Sequence, residues 1–350
     1  MDRRTTTTPV RRGYNRRGTQ PRLVMVAMCL LGTLLIAAGV YLASDDDDGL
    51  VELAGDSADR STGDAASNVG ALSAEAPPGK PAPCPYCNQN PNAWLAQTSV
   101  APPEMGGRAV AVVEGACGAL IYGFNQDERL PPASLVKIAT ALVVMDTANL
   151  NDRLDIRTNG WDLSAEDGSS IMGLEEGMNL SVEEVLYGLL LPSGNDAALE
   201  LAQHYGGLDG FVDKMNRRAE GLGLKNTHFT NPDGRDNERL FSTVFDMIVL
   251  GRELMANPKL ATIVGTQSFK PNWDGTTLWN GNYLHYIYPG TVGVKTGFTE
   301  QANSTIVAAV QRNGRVLYAS SFGSWDAYWD AIRLFNWAFD NTRSTCPAGS

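Results

Sequence analysis

Runs with strand character stand at both ends of the folded part of this 350-residue chain, and a mostly helical stretch from about 140 to 285 separates them. A sheet assembled from both ends has to close across that stretch, so distant residues are drawn to one place. Arg108 to Val113 and Gly118 to Phe124 are apolar runs around Glu114-Gly115-Ala116-Cys117, the pattern of a hairpin. After the helical stretch come Thr291 to Phe298 and Ser304 to Gln311, and Asn313-Gly314 then turns the chain into Arg315 to Phe322. In between, Pro131-Pro132-Ala133 introduces a helix from Ser134 with Ile138, Leu142 and Met145 on one face. Further helices are expected over Val182 to Leu191, Asp196 to Tyr205, Leu208 to Leu222 and Thr243 to Ala256, with Asn231-Pro232-Asp233-Gly234 as a turn. A last helix carries Trp325, Tyr328, Trp329, Ile332, Phe335 and Phe339 at helical spacing, which predicts a face packed on the sheet rather than an exposed sugar platform. The expectation is an α+β domain over 102–342: one antiparallel sheet, helices on its faces and a mostly helical insertion.

Three short segments follow one another along this layout: Ser134-Leu135-Val136-Lys137, Ser193-Gly194-Asn195 and Lys295-Thr296-Gly297. Of the seven lysines, only Lys137 has a serine three residues before it. Residues three apart on a helix share a face, so Lys137 can reach the Ser134 hydroxyl. A serine hydroxyl becomes a useful nucleophile when a neighbour takes its proton, and a lysine can do so when burial or a nearby cation such as Lys295 lowers its pKa. A helix start at Ser134 would also aim free N–H groups at a developing oxyanion. Ser193 and Asn195 can relay a proton and orient Lys137; Lys295 and Gly297 share one strand face, where a cation can meet a carboxylate and a missing side chain leaves room for a peptide. Read singly, each segment has a plain structural alternative: Ser134, Ser193 or Asn195 as a helix cap, and Lys295 as an exposed strand residue. Together they supply the parts for acyl transfer through a serine ester.

The N-terminal part reads differently. Leu23 to Ala43 is a run of 21 residues without a charge, preceded by Arg11, Arg12, Arg16, Arg17 and Arg22 and followed by Asp45 to Asp48. That length spans a hydrocarbon core of roughly 30 Å as a helix, and the positive-inside rule leaves residues 1–22 as a basic cytoplasmic tail. A cleaved signal peptide is the alternative, but its apolar region is roughly 7–15 residues and Tyr41-Leu42-Ala43 is a poor cleavage site. An uncleaved anchor at 23–43 in a bacterial plasma membrane, with the rest outside the cytoplasm, is therefore expected. Residues 44–101 are rich in Asp, Ser, Ala, Gly and Pro and read as a disordered spacer; 343–350 form a short tail. The formal net charge is −11 although the first 22 residues hold seven Arg and one Asp, so the remainder is strongly acidic and nucleic acid is not an expected partner.

No H-e-x-x-H or paired Cys/His spacing supports a metal, no serine elbow accompanies His204, His228 or His285, and no cofactor is expected. Cys84-Pro85-Tyr86-Cys87 has the spacing of a redox dithiol but lies in the Pro-rich spacer. In an oxidising compartment disulfides are favoured, and the expected pairs are Cys84 with Cys87 and Cys117 with Cys346, the latter tying the first hairpin to the tail.

The chain resembles the low-molecular-weight penicillin-binding proteins, specifically the serine D-alanyl-D-alanine carboxypeptidases, from about Arg108 to Asn341. Leu130-Pro131-Pro132-Ala133-Ser134, Tyr187 through Ala198, Asn226-Thr227-His228-Phe229, Asn231-Pro232-Asp233-Gly234 and Gly293-Val294-Lys295-Thr296-Gly297 carry the resemblance. It implies a β-lactamase/DD-peptidase-like fold. It also implies removal of the terminal D-Ala from peptidoglycan stem peptides ending in D-Ala-D-Ala, and inhibition by β-lactam antibiotics. By this resemblance Ser134 is acylated, Lys137 is its base, Ser193 and Asn195 assist, and Lys295 and Thr296, with Gly297 beside them, hold the substrate. The N–H groups of Ser134 and Phe298 form the oxyanion hole. Many relatives carry a further β-rich domain and an amphipathic C-terminal anchor; both are expected to be absent here, with the N-terminal span as the attachment. A D,D-endopeptidase acting on crosslinks uses the same residues and stays open as an alternative. A β-lactamase is disfavoured because Gly194 stands where S-D-N enzymes have Asp, and a non-catalytic wall-binding or sensing protein is disfavoured by the intact Ser134, Lys137 and Lys295.

Overall fold

The computed structural model describes residues 98–344, without 274, together with Cys346. The apolar run at 23–43 and Cys84 and Cys87 lie outside the described residues. In chain order come β1 (Ala109–Glu114), β2 (Leu120–Phe124), a turn of 3-10 helix at Ala133–Leu135 and α1 (Val136–Thr147). Next are β3 (Arg153–Asp155), α2 (Gly160–Asp167), β4 (Asn179–Ser181), α3 (Val182–Leu190), α4 (Asn195–His204) and α5 (Gly207–Gly221). α6 (Val244–Ala256), α7 (Pro258–Gly265), β5 (Ser268–Phe269), β6 (Leu278–Trp279) and α8 (Leu284–Ile287) follow. The chain returns to the sheet with β7 (Thr291–Thr299), β8 (Asn303–Arg312) and β9 (Arg315–Ser324), and α9 (Ala327–Asn341) packs behind it.

The main sheet has the order β2-β1-β9-β8-β7 and every pairing is antiparallel. β1 pairs with β9, Ala111 opposite Ser320, so the two ends of the domain are joined and β7 is left at an edge. Period-two alternation divides the strands between two cores. Ala109, Ala111, Val113, Val307 and Ala309 face the helical body, while Val110, Val112, Ile306, Ala308 and Val310 face α9. The result is the expected α+β architecture, with the helical insertion on one face and α9 on the other.

Two expectations change. The helix after Ser134 is not amphipathic. Val136 through Val144 are all buried, because α1 runs through the middle of the body against α3, α5 and α6. The aromatic stripe of α9 is divided: Ile332 and Phe335 are buried on the sheet, but Trp329 is 54% exposed and Trp325 90%. Trp325 precedes the helix, whose first turn is capped by Asp326 accepting from the Trp329 N–H, so neither tryptophan faces the sheet.

Cys117 is bonded to Cys346, as expected, tying the β1–β2 turn to the segment after α9. Beside it, buried Glu114 pairs with Arg315 at 2.8 Å, and Arg315 donates to the Thr342 carbonyl at 2.9 Å. Among the described residues no helix is long and apolar enough to cross a membrane.

Candidate active site

The turn that carries Ser134 is held from two sides. Thr305 on β8 donates to the Pro132 carbonyl at 3.1 Å, and Ala133 is forced into the left-handed region with φ of 51°. Thr140 on α1 donates to the Pro232 carbonyl at 2.6 Å, which draws the 231–234 turn against the same place. Asn231 shapes that turn by accepting from the Gly234 N–H at 2.7 Å. Gly234 has φ of 89°, and a Cβ there would lie 2.0 Å from the Ala133 carbonyl oxygen, so only glycine lets the two segments meet.

Between these segments stands Lys137, 0% exposed. Its Nζ is 3.0 Å from Ser134 Oγ, 2.7 Å from Asn195 Oδ1 and 2.5 Å from the Asp233 carbonyl. Burial lowers its pKa to about 8; the Asp233 and Asp196 charges oppose that shift and Arg235 adds to it. Burial therefore leads, and Arg235 supplies the cationic contribution assigned from sequence to Lys295. The charge effect between the lysines falls on Lys295, whose pKa lies well below the ordinary lysine range through burial and then through Lys137.

The cap readings of Ser134, Ser193 and Asn195 do not hold. No side chain caps the 3-10 turn, and α4 has Gly194 at its N-cap position without a side-chain bond. Asn195 instead spends both ends of its amide on the site: Oδ1 accepts from Lys137, and Nδ2 donates to Ser169 Oγ at 2.8 Å. Ser193 has φ of 65°, a costly conformation for a residue with a side chain. Its Oγ is buried with no hydrogen-bond partner among the described residues, and the residue lines the cleft.

Sequence reasoning missed Asp196. It is fully buried, and its carboxylate accepts from the N–H groups of Met172, Gly173 and Leu174 at 3.0 to 3.2 Å. It pins the loop after α2 against α4, and that loop presents Ser169 to Asn195. The helix-start position of Asp196 hid this, because an acidic residue there reads as ordinary dipole compensation.

Edge strand β7 forms the other wall. Lys295 is 2% exposed; its Nζ donates to the Thr296 carbonyl at 2.9 Å and meets no carboxylate among the described residues. A Cβ at Gly297 would sit 2.8 Å from the Ser134 amide nitrogen and 2.7 Å from Thr305 Oγ1, so the absent side chain is what brings β7 against Ser134. Thr296, Gly297 and Phe298 line a cleft of about 690 Å³ together with Ser134, Ser193 and Asn195; Phe298 is 65% exposed at its rim. None of the three histidines lines it. Among the described residues no group of His, Cys, Asp and Glu could hold a metal ion.

A family model described as D-alanyl-D-alanine carboxypeptidase matches residues 96–324. A D-alanyl-D-alanine carboxypeptidase of Mycobacterium tuberculosis is 39% identical over 232 residues, covering 63% of this chain and 78% of that protein. One from Bacillus subtilis is 34% identical over 223 residues, covering 62% of this chain; the match spans only 57% of that relative's own length. Among solved structures, a Mycobacterium tuberculosis D-alanyl-D-alanine carboxypeptidase superposes with a TM-score of 0.66 at 35% identity, over 73% of this chain and 99% of that one. A Streptomyces DD-transpeptidase gives 0.66 at 31% identity, over 69% and 100%. With this match spanning the strands, the central helix and all three segments that meet in the cleft, the chain belongs to the D-alanyl-D-alanine carboxypeptidase family.

Proposed function

We propose that this chain is a serine D,D-carboxypeptidase that removes the terminal D-Ala of peptidoglycan stem peptides through an acyl-serine intermediate. One observation carries the reading: the three neighbours of Lys137 Nζ. Two of them, the Asn195 amide oxygen and the Asp233 carbonyl, can only accept. A neutral amine has two N–H bonds and one lone pair. With both N–H bonds taken by fixed acceptors, the lone pair is left for the one neighbour that can donate, the Ser134 hydroxyl.

In the proposed reaction Lys137 takes the Ser134 proton as Oγ attacks the carbonyl carbon of the penultimate D-Ala. The N–H groups of Ser134 and Phe298 receive the oxyanion. The proton passes by way of Ser193, whose hydroxyl is buried with no hydrogen-bond partner among the described residues, to the departing D-Ala nitrogen as the peptide bond breaks. Water then attacks the ester, giving its proton back through Lys137, and Ser134 is restored. Lys295 meets the terminal carboxylate, with the Thr296 hydroxyl beside it; the arriving negative charge opposes the burial and the Lys137 charge that lower the Lys295 pKa, and so favours its ammonium form. A β-lactam offers the same acyl carbon and carboxylate, so it acylates Ser134. Membrane attachment through Leu23 to Ala43, with the catalytic part outside the cytoplasm, completes the reading. Purified protein releases D-Ala from a pentapeptide ending in D-Ala-D-Ala, and Ser134→Ala abolishes release; turnover in that variant overturns the assignment.

A further inference from the structure

The two ends of the cleft are built differently. β7 runs through it from Thr296 to Thr299, with Glu300 beyond. At the Thr299 end the lining is charged: Thr299 donates to Asp236 Oδ1 at 2.7 Å, and Arg235 pairs with Asp167 at 3.4 Å. At the Thr296 end none of the lining residues is charged, Lys295 being buried behind the lining, and one aromatic side chain stands there. Tyr328, in the first turn of α9, lines the cleft there. Its hydroxyl donates to the Gly281 carbonyl on the facing wall at 2.8 Å and lies within reach of the Thr296 hydroxyl. The Tyr283 ring meets it edge-on, with centroids 6.4 Å apart. Downstream, Ile332 and Phe335 are buried against the sheet, which fixes α9 and the residue it carries. The side chain, packed at its base on the core between α9 and the sheet, thus reaches with its hydroxyl from the 281 wall to β7.

Under the carboxypeptidase reading, on which this inference rests, the terminal carboxylate lies at Lys295 and Thr296 and the stem runs toward Thr299. The Tyr328 ring then occupies the path that a longer leaving group would follow. We infer that Tyr328 is an end stop: it limits the leaving group to one amino acid with a free carboxylate, and so selects terminal D-Ala removal over cleavage of crosslinked stems. In a crosslink the leaving residue carries a further peptide, and that peptide has to pass where the ring stands. The selection is steric, since a pocket wall rejects extra bulk that cannot be accommodated without moving fixed groups.

The test measures kcat/KM for two substrates, a muropeptide pentapeptide and a D,D-crosslinked muropeptide dimer, with wild-type protein, Tyr328→Phe and Tyr328→Ala. Labelling of Ser134 by a fluorescent penicillin checks each variant. The ratio of crosslink cleavage to D-Ala release rises about tenfold or more in Tyr328→Ala and stays near the wild-type value in Tyr328→Phe, which keeps the ring. Tyr328→Leu repeats the comparison if the alanine variant fails to label. Wild-type protein that releases D-Ala and shows the same ratio as the truncated variants overturns the end stop alone. So does wild-type protein that cuts the dimer as fast as the pentapeptide. Wild-type protein that labels with penicillin and releases no D-Ala overturns the carboxypeptidase reading, and the end stop with it.

Discussion

Lys137 Nζ and Ser134 Oγ lie 3.0 Å apart, with every other polar contact of the lysine nitrogen made to an oxygen that cannot donate. In the proposed reaction the pair works as base and nucleophile only while the amine is neutral. Its pKa of about 8, set first by burial, fixes the pH at which that happens. Below this value the ammonium dominates, and the neutral fraction falls about tenfold per pH unit. The second-order rate of penicillin acylation therefore rises with pH and levels off above an apparent pKa of about 8. Stopped-flow labelling across neutral and mildly alkaline buffers reads this limb directly; a rate that falls over the same range contradicts the assignment of Lys137 as base.

In the proposed reaction Asn195 orients that base. Replacing it with Ala removes one of the two carbonyl acceptors at Lys137 and releases Ser169 from its partner. The expected result is a loss of about 10²-fold in kcat with a smaller change in KM, since the contact aims the lone pair rather than binding substrate. Steady-state D-Ala release separates the two constants.

Gly297→Ala tests the approach of β7 to Ser134. The added methyl would lie 2.8 Å from the Ser134 nitrogen, in the place where the oxyanion has to sit. Acylation by penicillin falls about 10²-fold or more, in keeping with loss of an oxyanion donor. Thermal unfolding of the same variant shows whether the damage stays local, which the edge position of β7 predicts.

The Cys117–Cys346 bond closes a separation of 229 residues, and neither cysteine lines the cleft. Cys117→Ser lowers the stability of the domain by about 2–4 kcal/mol, chiefly by freeing the unfolded chain. Urea unfolding measures the loss, while the rate of penicillin acylation stays at the wild-type value.

Much of this was readable in the chain itself. Strand alternation at both ends gave the antiparallel sheet, and of the residues singled out in the three segments Ser134, Ser193, Asn195 and Thr296 line one cleft, with Lys137 and Lys295 buried beside it. Side-chain chemistry leaves a mark in sequence; backbone chemistry does not. The Asp233 carbonyl that fixes Lys137 is a main-chain oxygen, and its turn looked like any Asn-Pro-Asp-Gly turn. Asn195 was legible as a partner of Lys137, but a cap stayed open beside that reading because the residues that cap helices are the same ones that make short, rigid hydrogen bonds elsewhere. α1 read as one-faced because Ile138, Leu142 and Met145 fit that period, but small residues such as Ala139 and Ala141 are also packed when a helix is enclosed. Tyr328 was absorbed into a packing stripe; it does pack against the core between α9 and the sheet, but it also lines the cleft, which spacing alone does not reveal.

The central claim is that Ser134 becomes an ester through the base beside it. Fluorescent penicillin added to the wild-type protein, followed by proteolysis and mass mapping of the labelled peptide, tests it most directly. The account predicts one modified residue, Ser134, with labelling lost in Ser134→Ala. Label on another residue, or undiminished labelling of the alanine variant, contradicts it.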